Sequence, residues 1–145
     1  MTAPRRPQLL MVEPSAMIRN LVVQVARELR LAEFHQTGLW PTAQQLLNAH
    51  RMDGLILSTD DASRACALLT LLRQGQLHTP ADIPVIALLP ATAQGARQAL
   101  EALGVEHYLH TPFRIRDIFE TLGCLWPSSP APPAIKQRSN AATPR

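Results

Sequence analysis

Met52-Asp53-Gly54-Leu55-Ile56-Leu57-Ser58, followed at once by Thr59-Asp60-Asp61, sets the reading of the whole chain. Leu55, Ile56 and Leu57 form a short unbroken apolar run, bounded by Gly54 on one side and a polar cluster on the other. A run that is apolar on both faces fits a central strand of a parallel sheet, because helices cover such a strand from above and below. Two more runs have the same shape: Leu9-Leu10-Met11-Val12, ending at Glu13, and Val85-Ile86-Ala87-Leu88-Leu89, ending at Pro90. In an open α/β sheet, ligands sit outside the carboxyl ends of the strands, where the strand order reverses. The residues that decide function are therefore expected at Glu13, Pro14, Ser58, Asp60, Asp61 and Leu89, a chemically sparse set.

Outward from that centre, strands and helices alternate. The first strand (8–12) leads through Glu13-Pro14 to Ser15, an N-cap for a helix to about residue 30 with Ile18, Leu21, Val22, Val25 and Leu29 on one face. A half-polar strand (32–37) ends at Gly38. The next helix carries Pro41 in its first turn and turns Ala43, Leu46 and Leu47 inward, with Trp40 packing over the sheet edge. Asp61 or Ser63 caps an Ala- and Leu-rich helix stopped by Gly75. After the strand ending near Pro90, Thr92 caps a helix through Leu103, closed by Gly104 in the left-handed conformation. Ala96, Ala99, Leu100 and Leu103 form its apolar stripe. His107-Tyr108-Leu109 suits an edge strand, and Thr111-Pro112-Phe113 turns into a last helix (114–125) whose Ile115, Ile118, Phe119 and Leu122 are spaced for burial. Five strands alternating with five helices predict a three-layer αβα sandwich with a parallel sheet in the flavodoxin-like order 2-1-3-4-5.

The 145 residues fit one domain (8–126) with a loose leader (1–7) and a Pro-rich disordered tail or linker (127–145). The net charge of +3 belongs to the ends. Of fourteen Lys and Arg, five (Arg5, Arg6, Lys136, Arg138 and Arg145) lie there, leaving nine Arg against eleven acidic residues in a body near −2. A nucleic-acid-binding domain concentrates basic residues on its folded surface, so that class is disfavoured. No stretch is long enough to span a membrane, and no signal-peptide core follows the N-terminus. Cys66 and Cys124, without a CxxC spacing, predict buried thiols in a reducing, cytoplasmic setting. His107 and His110 fall on opposite faces of a strand, a poor arrangement for a shared metal. No phosphate-cradling glycine loop, nucleophile elbow or zinc spacing occurs.

The blocks Leu-Leu-Met-Val-Glu-Pro-Ser-Ala-Met-Ile-Arg (9–19), Met-Asp-Gly-Leu-Ile-Leu-Ser (52–58), Pro-Val-Ile-Ala-Leu-Leu (84–89) and Gly-Val-Glu-His-Tyr-Leu-His-Thr-Pro-Phe (104–113) occur in an order and spacing that resembles the receiver domain of bacterial response regulators. The resemblance covers roughly Gln8 to Trp126. It implies an acidic Mg²⁺-binding pair at Glu13-Pro14, of which one carboxylate survives. It places Ser58 at the phosphoaccepting Asp, Leu89 at the hydroxyl residue that binds the phosphoryl group, and Thr111 at the Lys before the Pro-Phe turn. Tyr108 matches the aromatic switch residue, and Pro112-Phe113 matches the turn, whose preceding peptide bond the resemblance makes cis. The Thr111 hydroxyl is expected near Ser58.

A phosphoryl group adds about −1.5 to −2 charge and needs cationic or hydrogen-bonding partners, and Mg²⁺ in such sites takes carboxylates and phosphate oxygens. Ser58 also lacks an adjacent base to activate its hydroxyl. The expectation is a pseudo-receiver, not an enzyme, with Mg²⁺ binding weak or absent. It acts by phosphorylation-independent protein contact in a two-component or phosphorelay-type pathway. Its partners would be signalling proteins such as a histidine kinase or an output domain. Receivers pair through the fourth helix, fifth strand and fifth helix, here about Thr92 to Cys124. Arg97, Arg114, Arg116, Glu101, Asp117 and Glu120 there carry charges able to pair across a two-fold axis. Two alternatives stand beside this. One is an unconventional phosphoacceptor using Asp60 or Asp61, although Asp61 suits a helix cap and Asp60 a solvated position. The other is a small-ligand-binding flavodoxin-like module.

Overall fold

The computed structural model describes residues 7–28, 33–90 and 95–125. The strands are β1 (Gln8–Val12), β2 (Glu33–Thr37), β3 (Gly54–Ser58), β4 (Val85–Pro90) and β5 (His107–Thr111). Between and after them come α1 (Ala16–Glu28), α2 (Trp40–Ala49), α3 (Ala62–Arg73), α4 (Arg97–Ala102) and α5 (Ile115–Leu125). All strand pairs are parallel, in the order β2-β1-β3-β4-β5 expected from the sequence. Leu10 stands beside Leu55, and Ile56 beside Ile86.

Strand parity divides the core into two layers. Leu10, Val12, Leu55, Leu57, Val85, Ala87 and Leu89 point to one face, where α2, α3 and α4 supply Ala43, Leu47, Leu68, Leu69, Leu72 and Leu100. Leu9, Met11, Ile56, Ile86, Leu88 and Leu109 point to the other, covered by Val22, Val25 and Ala26 of α1 and Ile118 and Leu122 of α5. This is why β1, β3 and β4 carry apolar runs through Leu9–Val12, Leu55–Leu57 and Val85–Leu89 while β2, an edge strand, is half polar: strands covered on both faces lose polar residues from their middles. Trp40 packs against the first layer.

Several helix details differ from the periodicity. The inward line of α1 passes through Val22, Val23 and Ala26, which leaves Leu21 on the exposed side. The α-helix at the fourth position starts at Arg97, after a 3₁₀ turn at Gly95-Ala96, and the predicted cap Thr92 lies outside the described residues, as do Leu29 and the greater part of the predicted leader and tail. Its stripe is narrower than expected. Leu100 is buried and Ala96 and Leu103 half-buried, but Ala99, 100° round the helix from Leu100, is exposed. Ile115 is 59% exposed rather than buried, because the first residue of α5 stands beyond the end of the sheet; Phe113 packs on the second layer instead. Neither thiol is fully buried. Cys66 is half-buried and Cys124 exposed, two positions past Leu122 and so on the far side of α5. Gly75 and Gly104, with φ of 74° and 82°, take the left-handed turns that end α3 and α4.

The loops at the amino ends of the strands are tied by side chains. The Arg73 guanidinium, at the end of α3, donates to the carbonyls of Ala81, Ile83 and Leu103 at 2.8 Å and Gly104 at 3.3 Å. The buried Thr79 hydroxyl donates to the His50 carbonyl at 2.7 Å and accepts from the Met52 amide at 3.1 Å.

Candidate functional site

The strand order reverses between β1 and β3, so the crevice of this fold opens above Glu13 and Ser58. Both are polar and both are buried, 2% and 1% exposed. The Glu13 amide donates to the Thr37 carbonyl at 3.0 Å, joining the end of β1 to that of β2. Its carboxylate does not reach outward: Oε2 accepts from the Ser15 amide at 2.9 Å. Burial pushes this carboxyl above its usual range. The Ser15 N–H works against that, the negative charge of Asp60 reinforces it, and the Ser58 hydroxyl and the Arg19 guanidinium favour the charged form.

Ser58 Oγ accepts from the Asp60 amide at 3.2 Å. Thr59, also buried, donates its hydroxyl to the Leu88 carbonyl at 2.7 Å and fastens the end of β3 to β4. Asp61 is the N-cap of α3, accepting from the Arg64 amide at 3.2 Å, and its second oxygen pairs with the Arg64 guanidinium at 3.4 Å. Asp60 is exposed. Leu89 is fully buried and belongs to the first core layer, facing α2 to α4. Thr111 ends β5, two strands away from Ser58 with β4 between them, and no hydrogen bond joins the pair among the described residues. The Thr111-Pro112 bond is cis, and Phe113 follows it onto the second layer.

Tyr108, on β5, turns its ring toward the first layer. Its hydroxyl donates to the Val105 carbonyl at 2.9 Å. The Arg97 guanidinium lies 4.4 Å over the ring, held by Glu101 at 3.1 Å. Burial, and secondarily Glu101, push the phenol up, with Arg97 opposing. Arg97 and Glu101 are therefore paired with each other, and Asp117 accepts from the Arg114 amide at 2.9 Å. Of the six charges on this face, the side chains of Arg114, Arg116 and Glu120 are exposed and make no such bond among the described residues.

Arg19 is the residue of this region that sequence reasoning missed. From the second turn of α1 its Nη1 donates back to the carbonyls of Glu13 at 2.6 Å and Pro14 at 3.2 Å. Its signal is faint: an arginine six residues after a strand-end acid, and a glycine, Gly38, after β2. Among the described residues, no three His, Cys, Asp or Glu side chains converge as metal ligands, and no helix is long and apolar enough to cross a membrane.

A scan against protein-family profiles gives no match, and no curated protein matches the sequence. Solved structures do. The chemotaxis response regulator CheY4 of Vibrio cholerae superposes with a TM-score of 0.72 at 19% identity, over 83% of this chain and 98% of that one. A putative response regulator from Chloroflexus aurantiacus gives 0.70 at 19%, over 86% and 100%. The receiver domain of a sensor histidine kinase from Pseudomonas aeruginosa, solved with magnesium in its active-site cleft, gives 0.68 at 19%, over 85% and 99%. These likenesses span nearly the full length of each of those chains. The chain has the fold of response-regulator receiver domains.

Proposed function

We propose that the chain is a signalling module of the two-component type in which the receiver scaffold is retained and the phosphoryl chemistry is not, so that it acts through protein contact. The observation that carries this reading is the state of the strand ends. The Ser58 hydroxyl is buried and serves its own loop, and Leu89 is core. Pro14 offers no side-chain donor. The Glu13 carboxylate is turned to its own helix start. This donor set does not fit Mg²⁺, which takes oxygen ligands in near-octahedral array. It places a serine, Ser58, where the phosphoryl group would need a carboxylate acceptor, and it holds no lysine.

The rim supports contact rather than chemistry. Met17, Leu39 and Ile115, the most exposed large apolar side chains among the described residues at 78%, 65% and 59%, all follow strand carboxyl ends. The partners on this reading are other signalling proteins, a histidine kinase or an output domain among them, and the folded body is 8–126. Self-association through α4, β5 and α5 would rest on Arg114, Arg116 and Glu120. Size-exclusion chromatography with light scattering tests it: a dimer that Arg116→Glu dissociates is expected, and a monomer at all concentrations refutes that surface.

Incubation with acetyl phosphate and Mg²⁺, followed by intact mass, tests the central reading; the expected result is an unchanged mass. A stable adduct abolished by Asp60→Ala or Asp61→Ala would favour the relocated acceptor. Asp60 is the better placed of the two, being exposed while Asp61 is committed to its cap.

A further inference from the structure

The β1–α1 loop, Glu13-Pro14-Ser15, is stitched from several directions by its own chain. Ser15 N–H donates to the Glu13 carboxylate, Ser15 Oγ accepts from Ile18 N–H at 3.4 Å, and Ser15 C=O accepts from Arg19 N–H at 3.0 Å. The Arg19 guanidinium then closes the loop from outside, donating through one nitrogen to the carbonyls of Glu13 and Pro14. Those two carbonyls lie between the end of β1 and the start of α1. A charge-assisted donor is the strongest available partner for them.

The space this guanidinium occupies is reserved for it. A Cβ at Gly38, in the β2–α2 loop, would stand 2.7 Å from Arg19 Nη1, closer than real Cβ atoms approach, while its next neighbours, Glu13 O and Pro14 Cα, lie at 3.4 and 3.5 Å, close to ordinary contact. A side chain at Gly38 would therefore require the far end of Arg19 to shift, with the backbone of the β1–α1 loop close behind it. Arg19 also lowers the cost of keeping Glu13 charged.

We propose that Arg19 is the resident cation of this strand-end pocket: its guanidinium, seated beside Gly38, ties the start of the β1–α1 loop to α1 and fixes the shape of the surface there with no metal ion or phosphoryl group bound. This rests on the reading above and adds its regulation: the surface is permanently set rather than switched. Arg19 is a positioning residue, acting through the two carbonyls and the loop they begin.

Amide hydrogen exchange of the full chain, followed by NMR, tests this. Arg19→Ala is expected to raise the exchange rate of the Ser15 amide by about tenfold or more, with core amides such as Ile56 unchanged, because the opening is local. Gly38→Ala in the wild-type background is expected to do the same by displacing the guanidinium. In the Arg19→Ala background it is expected to add less than about twofold, since the clash has gone. Millimolar Mg²⁺ is expected to leave the Glu13, Ser15 and Ser58 amide resonances of the wild type in place. Ser15 exchange unchanged in Arg19→Ala, independent effects of the two substitutions, or Mg²⁺-dependent shifts in the wild type would each overturn the role of Arg19. If Arg19→Ala does not fold, Gly38→Ala and Arg19→Lys carry the same comparison. A phosphoryl adduct would overturn the reading beneath it, whereas an adduct-free chain with an unaffected loop would overturn this inference alone.

Discussion

Arg73 measures how firmly the end of the domain opposite the candidate site is held. Three of its hydrogen bonds are short, at 2.8 Å, and reach the loops that lead into β4 and β5. Bonds from a charged donor are worth about 1.5–3 kcal/mol each, so three in a dry site would approach roughly 5–9 kcal/mol. The site is not dry. Arg73 is half-buried, and water can reach some of the carbonyls once the guanidinium is removed. With that discount, Arg73→Ala is expected to cost about 2–4 kcal/mol, including packing lost with the aliphatic stem. For a domain of this size a loss near 3 kcal/mol lowers the Tm by about 10 °C or somewhat more. Arg73→Lys concentrates three donors on one atom and cannot span carbonyls spaced for a planar fork, so it is expected to recover less than about half of the loss. Urea unfolding followed by far-ultraviolet circular dichroism gives these values directly. A lysine variant as stable as the wild type, or an alanine variant within about 0.5 kcal/mol of it, would refute the idea that the fork geometry holds these loops.

Thr79→Val removes the partner of the Met52 amide and of the His50 carbonyl at a buried position, and is expected to cost about 2 kcal/mol in the same assay, with Thr79→Ser losing less than about 1. Glu13→Gln gives a pH dependence of known sign. The Glu13 carboxyl is raised by burial, so its contribution to stability is fully present below its unfolded value, near 4.5, and is lost as pH rises through the folded one. The stability of Glu13→Gln relative to wild type is therefore expected to increase from about pH 4 upward and to level off above the folded value; a difference that shrinks with rising pH would contradict the burial of this carboxylate.

The sheet is legible in the sequence because parity and burial leave separate marks. Strands covered on both faces read as unbroken apolar runs, which placed β1, β3 and β4, and the half-polar residues of β2 and His107 to His110 identify the edges. The glycines after α3 and α4 were equally plain. The helix faces were less so, because periodicity fixes an arc and not its centre: Leu21, Ala99 and Ile115 lie on the predicted arcs but outside the half that meets the sheet. Arg19, Thr59, Arg73 and Thr79 left no usable mark. Each acts by bonding a backbone carbonyl or amide, and a carbonyl has the same sequence signature everywhere. Only the fold reveals that Arg73 faces four carbonyls, two of them about thirty residues away.

On the proposed reading, the strand ends explain how a receiver scaffold could give up phosphoryl chemistry and keep its shape. In a parallel sheet the last residue of a strand still alternates with its neighbours, so it lies between crevice and core, and its side chain decides to which it belongs. Leu89 follows Val85 and Ala87 onto the α2–α4 face and is fully buried there. A hydroxyl at that depth would need a hydrogen-bond partner or cost about 1–3 kcal/mol, whereas a leucine adds apolar area to a layer already built from Leu57, Leu69 and Leu100. Ser58 has gone half as far: it keeps a polar atom, but the atom accepts from the Asp60 amide two residues on and shapes the turn into α3. Glu13 has gone the same way, its carboxylate capping the start of α1. On the proposed reading, each residue that would hold a metal or a phosphoryl group has become a packing or turn residue of its own element. On that same reading the fold would need no ligand to complete it, and the surface above these strand ends would be open to contacts with other proteins.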